Sequence, residues 1–274
     1  MAKMKKKAKS RTTRAVGATE RSLKPFLLEV AEGAGAILRK YFLKVHQIER
    51  KAGAGIVTEA DKFAEDYILK KIFSKFPKSS IITEESGEYQ GNDLVWYVDP
   101  LDGTSNYAHG FPWFCVSIGV YEGGKPKAGV IYHPINREMF FAETGRGAFL
   151  NGKRLQVSQT NQIEDSLLGT GFFYTTGDRL RADMHIFNRV QEKALGVRRP
   201  GSAALDLACV ASGRYDGFWE RGLKPWDLAA GYVLVTEAGG RVSGYSGQET
   251  TPLDAEVVAT NGILHPQILK LIQG

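Results

Sequence analysis

Leu94-Val95-Trp96-Tyr97-Val98-Asp99-Pro100-Leu101-Asp102-Gly103-Thr104-Ser105-Asn106 runs from five mostly apolar residues into two aspartates, a glycine and a threonine. The first five have the composition of a buried strand. Pro100 prevents that strand from continuing in a regular ladder, and Asp102-Gly103 allows a sharp turn that brings both acids to one point and directs the Leu101 carbonyl inward. Taken alone, such a run is equally an ordinary turn. Further acids shift the balance: Glu84-Glu85 follows the apolar pair Ile81-Ile82 as Asp99 follows its own strand, so neighbouring strands would deliver these carboxylates to one sheet edge. Their mutual repulsion there favours a bound cation, and oxygen ligands of this kind suit magnesium. The alternating acids and terminal glutamate of a calcium EF-hand loop are missing. Gly103-Thr104-Ser105-Asn106 opens a helix whose free amides suit a phosphate.

Upstream, Phe26, Leu27, Val30, Ala31, Ala34, Ile37, Leu38, Tyr41 and Phe42 recur at helical spacing after Pro25. A loop with Gly53 and Gly55 leads to Thr58, which caps a second helix carrying Asp61 in its first turn and Phe63, Tyr67, Ile68 and Ile72 on one face. Strands are predicted at 80–83, 94–98, 115–121, 127–133 and 138–143, with Gly123-Gly124 as a hairpin turn, which argues for an antiparallel sheet. Beyond Ser158 helices at about 183–195, 202–212 and 226–238 alternate with short strands at 215–219 and 257–260. The fold class is α/β (α+β), divided into a basic tail (1–20), an N-terminal α+β half (21–157) and a C-terminal α/β half (158–274).

The chain has 274 residues, 43% apolar and 24% charged, enough to bury a sizeable core. No apolar run approaches the length of a membrane span, so a soluble, cytoplasmic protein is expected. The net charge of +6 belongs to the tail, where Lys3, Lys5, Lys6, Lys7, Lys9, Arg11 and Arg14 precede any acid, and the body is near neutral. That distribution argues against a nucleic-acid-binding body and leaves the tail, expected to be disordered, as a solvated terminus, with a weak RNA contact or a targeting segment as the alternatives. Cys115 and Cys209 lie in apolar surroundings and read as buried reduced thiols. His46, His109, His133, His185 and His265 are scattered, with surface or hydrogen-bonded structural roles expected.

Thr83-Glu84-Glu85-Ser86, the run from Trp96 to Asn106, Lys224-Pro225-Trp226-Asp227-Leu228-Ala229-Ala230-Gly231 and Gly201-Ser202-Ala203-Ala204-Leu205-Asp206-Leu207 resemble the signature segments of the inositol monophosphatase family. The resemblance extends from about Pro25 to the C-terminus. It implies a layered α-β-α-β-α sandwich, a homodimer, and lithium-sensitive hydrolysis of a small phosphorylated substrate with two or three Mg2+ ions. It makes Glu84, Asp99 and the Leu101 carbonyl ligands of a first metal. Asp99 would bridge to a second ion held by Asp102 and Asp227, and a third, weaker site would lie near Arg50-Lys51. Glu84, Thr104 and Asp61 become catalytic: Thr104 pairs with Glu84 to position the attacking water, and Asp61 stands behind the metals. Asp102, Gly103, Thr104, Gly201, Ser202, Ala203 and Glu220 become substrate contacts. Two departures are the threonine at position 83, where glycine is common in the family, and Pro200 before the substrate-side glycine.

The implied reaction is hydrolysis of inositol monophosphate by direct attack of a metal-activated water, with no phosphoenzyme. The alternatives are fructose-1,6-bisphosphatase or 3′-phosphonucleotide phosphatase activity, or a role as an RNA- or polymerase-associated regulatory factor anchored by the tail.

Overall fold

The computed structural model describes residues 22–44, 48–50, 56–172 and 177–274. The basic tail and the loop around Gly53 and Gly55 lie outside them. Among the described residues the helices are α1 (Lys24–Tyr41), α2 (Glu59–Lys75), α3 (Thr104–Ala108), α4 (Asp178–Gln191), α5 (Ala203–Ala211), α6 (Pro225–Glu237) and α7 (His265–Gln273). The strands are β1 (Ile48–Arg50), β2 (Ile56–Thr58), β3 (Ser80–Thr83), β4 (Gly87–Tyr89), β5 (Leu94–Asp102), β6 (Cys115–Glu122), β7 (Lys125–His133), β8 (Glu138–Glu143), β9 (Gly147–Leu150), β10 (Lys153–Arg154), β11 (Leu167–Thr170), β12 (Gly196–Arg198), β13 (Gly217–Arg221), β14 (Arg241–Ser243) and β15 (Glu256–Thr260).

An eight-stranded sheet in the order β10-β9-β8-β7-β6-β5-β3-β4 is antiparallel except where β3 and β5 run parallel. A five-stranded mixed sheet has the order β12-β11-β13-β15-β14. The first sheet packs one face on α1 and α2 through Leu27, Leu38, Ile68, Trp96 and Val116. Its other face meets α5 and α6, which in turn cover the second sheet through Leu207, Val233, Phe218 and Ala259. The far side of the second sheet carries α4 and α7 through Ile186, Val190, Trp219 and Ile268. This is the expected α-β-α-β-α sandwich, and it buries both faces of each sheet.

Several local expectations shift. β5 does not stop at Val98; it runs through Pro100 to Asp102, with a break of register against β6 between Asp99 and Asp102. β3 ends opposite Val98, so the proline lies beyond the last paired residue on that side, where its missing N–H interrupts no ladder. Phe63 is 44% exposed and stacks on Tyr41, while Ala60, Ala64, Ile68, Leu69 and Ile72 form the buried face of α2. Small alanines, which carry little weight in a reading of apolar periodicity, set that face. α4 begins at Asp178 and ends at Gln191, earlier at both ends than its apolar residues suggest, because its first turn is polar and exposed and Leu195 is 71% exposed past its end. The second sheet's strand begins at Gly217, two residues later than expected.

Two glycines decide where α6 sits. A Cβ on Gly119 of β6 would lie 2.5 Å from Ala229 Cβ, and one on Gly129 of β7 would lie 2.6 Å from the Ala230 carbonyl oxygen. Bare backbone on two adjacent strands thus lets the helix that carries Asp227 descend onto the sheet that carries Asp99. Gly129→Val is expected to lower stability by about 1–3 kcal/mol through overpacking against a backbone that cannot yield. Urea unfolding checks this: a wild-type midpoint would show that α6 moves freely.

Candidate active site

The C-terminal ends of β3 and β5 lie side by side. Thr83 pairs with Val98 in parallel register and Glu84 N donates to Val98 O at 3.2 Å, so Glu84 leaves the sheet next to Asp99. Asp99 is 2% exposed, and its Oδ1 accepts from Leu101 N at 2.9 Å, which curls the chain toward Asp102. Gly103 then takes φ 94°, a left-handed conformation that suits glycine, and a Cβ there would lie 2.8 Å from Trp113 O. α3 starts at the next residue, as the sequence suggested.

Asp227 arrives from the other half of the molecule, in the first turn of α6, where its Oδ2 accepts from Lys224 N at 2.7 Å. Carboxylate oxygens of Asp99, Asp102 and Asp227 all lie within 4.8 Å of one another. Burial, followed by repulsion from Glu84, Asp102 and Asp227, holds Asp99 well above the ordinary carboxylate range. Asp227 is raised likewise by burial and then by Asp102. Asp102 is pushed up to about 6 by burial, against the stabilising hydrogen bonds of Ser202 and Ala204. Converging, desolvated carboxylates are a costly arrangement that a divalent cation relieves, and an all-oxygen donor set suits a hard one. The residues present fit magnesium.

Thr104 Oγ1 donates to Leu101 O at 3.0 Å and lies 3.3 Å from Asp61 Oδ1. Asp61, fully buried, takes the Thr58 N–H at 2.9 Å and the Thr58 hydroxyl at 2.6 Å on Oδ2. Its place in the first turn of α2 therefore reflects a capping box and a contact with the metal loop. On the substrate side, Ser202 caps α5, and Asp102 Oδ2 accepts from Ser202 Oγ at 2.6 Å and Ala204 N at 2.8 Å. Ser202 is 1% exposed, so in this structure its hydroxyl holds Asp102. Gly201 has φ 90°, and Glu220 stands on β13 against Gly171, where a Cβ would lie 2.0 Å from Glu220 Oε2.

Arg50 and Lys51, expected near a third metal, have no described side chains. Both cysteines are free and buried, as expected. Cys115 Sγ lies 3.9 Å from Asp102 Oδ2, and burial pushes the thiol well up, away from a nucleophilic thiolate. His109 and His185 are exposed, and His265 bridges Ser243 and Thr260, at 2.9 and 3.0 Å. His133 departs from the expectation: it is buried, and neither ring nitrogen has a hydrogen-bond partner.

Sequence reasoning missed Glu65 and the amide of Asn106. Glu65, one turn along α2 from Asp61 and 4% exposed, accepts on Oε2 from Thr83 Oγ1 at 2.5 Å and from Glu85 N at 3.1 Å, gripping the chain on both sides of Glu84. The threonine that departs from the family pattern thus has a use, and an acid four residues after Asp61 was the available signal. Asn106 Nδ2 donates to Trp113 O at 2.7 Å and Pro200 O at 2.9 Å, fastening the metal loop to the segment before Ser202. Glu65→Ala is expected to lower kcat by about 10²-fold by releasing Glu84, and Glu65→Gln, which keeps an acceptor oxygen, by much less. Steady-state rates at saturating magnesium check this, and equal rates for wild type and Glu65→Ala would show that Glu84 is held some other way.

Residues 20–274 match the model of the inositol monophosphatase family. The inositol-1-monophosphatase of Synechocystis is 46% identical over 246 residues, covering 88% of this chain and 85% of that protein. The Nus factor SuhB of Escherichia coli K12 is 41% identical over 247 residues, covering 89% and 91%. Among solved structures, the suppressor protein SuhB of Bartonella henselae superposes with a TM-score of 0.88 at 38% identity, covering 92% of this chain and 98% of that one. The inositol monophosphatase of Anabaena does so at 0.81 and 42%, covering 92% and 96%. With the acid cluster, the layered fold and these likenesses in agreement, the chain belongs to the inositol monophosphatase family of phosphatases.

Proposed function

We propose that the chain hydrolyses inositol monophosphate to inositol and phosphate with magnesium as cofactor. The observation that carries this reading is the convergence of carboxylate oxygens of Asp99 and Asp102, from β5, and of Asp227, from α6, within 4.8 Å of one another. Glu84, Asp99 and the Leu101 carbonyl would hold one ion, and Asp99, Asp102 and Asp227 a second. Bound magnesium supplies Lewis acidity, lowering the pKa of a water and offsetting the charge that develops on the phosphoryl and leaving oxygens.

The protein's own groups supply orientation. Asp61, fixed by Thr58, and the Leu101 carbonyl compete for the single Thr104 hydroxyl proton, which leaves the Thr104 lone pairs free to accept from a water. With Glu84 as a second acceptor, the pair would hold both hydrogens of such a water and leave its lone pair for phosphorus. The Gly103 and Thr104 amides suit phosphate oxygens. Asp102, Gly201, Ser202, Ala203 and Glu220 line the side on which the alcohol would lie. Cys115 is buried and protonated, in keeping with direct attack by water and no covalent intermediate.

A panel of inositol 1-phosphate, fructose 1,6-bisphosphate, adenosine 3′,5′-bisphosphate and histidinol phosphate, ranked by kcat/KM, tests the substrate. Inositol 1-phosphate is expected first and lithium is expected to inhibit. Another ester in first place overturns the substrate, and no magnesium-dependent release from any overturns the reading. A homodimer is expected in light scattering. A cytoplasmic setting is part of the proposal, and no described helix is long and apolar enough to cross a membrane.

Relatives named as Nus factors favour a second reading, in which the basic tail contacts RNA in a transcription complex. RNA binding that weakens steeply with salt and vanishes on removal of residues 1–19 is then expected. Salt-insensitive binding, or none, removes it.

A further inference from the structure

β6 turns one face toward α6, and Ser117, Gly119 and Tyr121, at every second position on that face, meet the helix in turn. Ser117 Oγ donates to the carbonyl oxygen of Trp226 at 3.2 Å, and Tyr121 Oη donates to that of Ala229 at 3.2 Å. Between them Gly119 lies under Ala229, where a Cβ would come within 2.5 Å of the Ala229 Cβ. The same strand sets the register of the acid cluster, because Ser117 pairs with Asp99 and Cys115 with Asp102. Residues directly opposite in an antiparallel pair share a face, so Ser117 stands beside Asp99 on the side that α6 covers.

Asp227 lies in the first turn of α6, just after Pro225. Helix ends are the least constrained part of a helix, since they lack the full set of intrahelical partners. The carbonyl that Ser117 holds belongs to the peptide group joining Trp226 to Asp227. On the other edge of that peptide, Asp227 N donates to Lys224 O at 3.1 Å. The peptide is thus fastened on both edges, by Lys224 from within its own turn and by Ser117 from the first sheet. A serine hydroxyl extends a single bond beyond Cβ, so it reaches the helix only because Gly119 lets the helix settle onto the strand. Elsewhere α6 is held independently: Tyr121 grips the second turn, and Glu237, its last residue, accepts from Gly145 N at 2.8 Å and Gly147 N at 2.7 Å. Neither contact reaches the turn that carries Asp227.

We propose that Ser117 is a positioning residue for the second metal ion: by holding the Trp226–Asp227 peptide against the strand position that pairs with Asp99, it sets the span between carboxylates that come from the two halves of the chain. The inference rests on the metal reading above. Groups behind the ligands orient them before the ion arrives, and a first turn released from Ser117 would have to be ordered by the ion itself, which weakens binding. The proposed ligands of the other ion, Glu84, Asp99 and the Leu101 carbonyl, come from the first sheet alone and do not depend on α6.

Titration calorimetry with magnesium chloride on the metal-free full chain tests this in wild type, Ser117→Ala, Tyr121→Phe and Asp227→Asn. The binding event that Asp227→Asn removes is the one to read. Ser117→Ala is expected to raise the Kd of that event by about tenfold, the lower end of the effect of groups behind a metal ligand. Any other binding event should stay within about twofold, as for sites that share no partners. Tyr121→Phe removes a hydrogen bond of the same length to the same helix, so it is expected to lower the metal-free Tm while keeping magnesium Kd within about twofold. In an Asp227→Asn background, Ser117→Ala should change metal binding no further. The helix keeps its own ladder in Ser117→Ala and is expected to fold; should it not, Ser117→Cys, which fills the space with a weak donor, takes its place. An unchanged Kd in Ser117→Ala overturns the proposal even where its Tm falls. So does an equal loss in Tyr121→Phe, which would make the placing of Asp227 a property of the whole helix. A wild type that binds no magnesium overturns this proposal together with the metal reading. A wild type that binds it and responds to Ser117→Ala, yet releases no phosphate from any ester, supports the role of Ser117 and overturns the phosphatase reading alone.

Discussion

Asp99→Asn is expected to abolish magnesium-dependent phosphate release, lowering kcat by about 10³-fold or more, since it removes the charge proposed to bridge two ions. The substitution should leave the fold intact. Asparagine has nearly the same shape, and its oxygen can still accept the Leu101 N–H that Asp99 Oδ1 accepts at 2.9 Å. In the metal-free protein the variant is expected to be at least as stable as wild type, because Asp99 is buried among Glu84, Asp102 and Asp227 and its charge is disfavoured there. With magnesium the order reverses. A ligand at 100 times its Kd stabilises the native state by about 2.7 kcal/mol, and this increment should appear in the Tm of wild type and disappear in the variant. Full activity in Asp99→Asn would sink the metal assignment, and a variant that unfolds in the absence of metal would give the aspartate charge a structural role.

The second large effect is a coupling between pH and metal affinity. Asp102 is held up at about 6, and Asp99 and Asp227 are raised further, so the cluster retains protons that a cation must displace. One displaced proton from a group titrating near 6 makes apparent magnesium affinity rise by about tenfold between pH 5 and 7, and further protons steepen the rise. Titration of activity with magnesium at several pH values checks it, and a half-saturation concentration constant over that range would overturn it. Stability moves the other way in the metal-free protein. Carboxyls raised above their unfolded value of 3.8 bind protons more tightly in the folded state. Their contribution is therefore complete below about pH 4 and is lost as pH rises through 6 and beyond. His265 acts oppositely: burial lowers it to about 4, so the unfolded chain takes up its proton first and stability falls as pH drops from 6.5 towards 4. The difference in Tm between wild type and Asp99→Asn separates the two, because His265 is common to both. That difference should widen in favour of the variant as pH rises from 4 to 7.

Much of the local architecture was readable. Thr58 as a cap, Gly123-Gly124 as a turn with φ 56° and 74°, and the strands Ser80–Thr83 and Glu138–Glu143 all follow from residues acting on their immediate neighbours. Phe63 was misplaced because Ala60 and Ala64, rather than large apolar side chains, line the first turns of the buried face of α2. The passage of β5 through Pro100 was hidden for another reason: whether a proline interrupts a ladder depends on whether a partner strand is there to pair, and the last residue of β3 pairs two positions before the proline. Glu65 and Asn106 went unnoticed because their partners lie 18 and 94 residues away.

The sequence by itself determined the chemistry on offer: carboxylates at strand ends, a threonine behind a glycine turn, a capped helix beginning with Ser202 and an aspartate in the first turn of α6. These are local properties, set by side-chain type and by the few dihedrals around each residue. Only the tertiary structure decided that the acids meet. Parallel register between β3 and β5 sets Glu84 beside Asp99, and bare backbone at Gly119 and Gly129 lets α6 bring Asp227 within 4.8 Å of Asp99 and Asp102. Packing also decided which acids repel. A carboxylate's charge is inexpensive in water and becomes a demand for a cation only when burial removes the solvent around it.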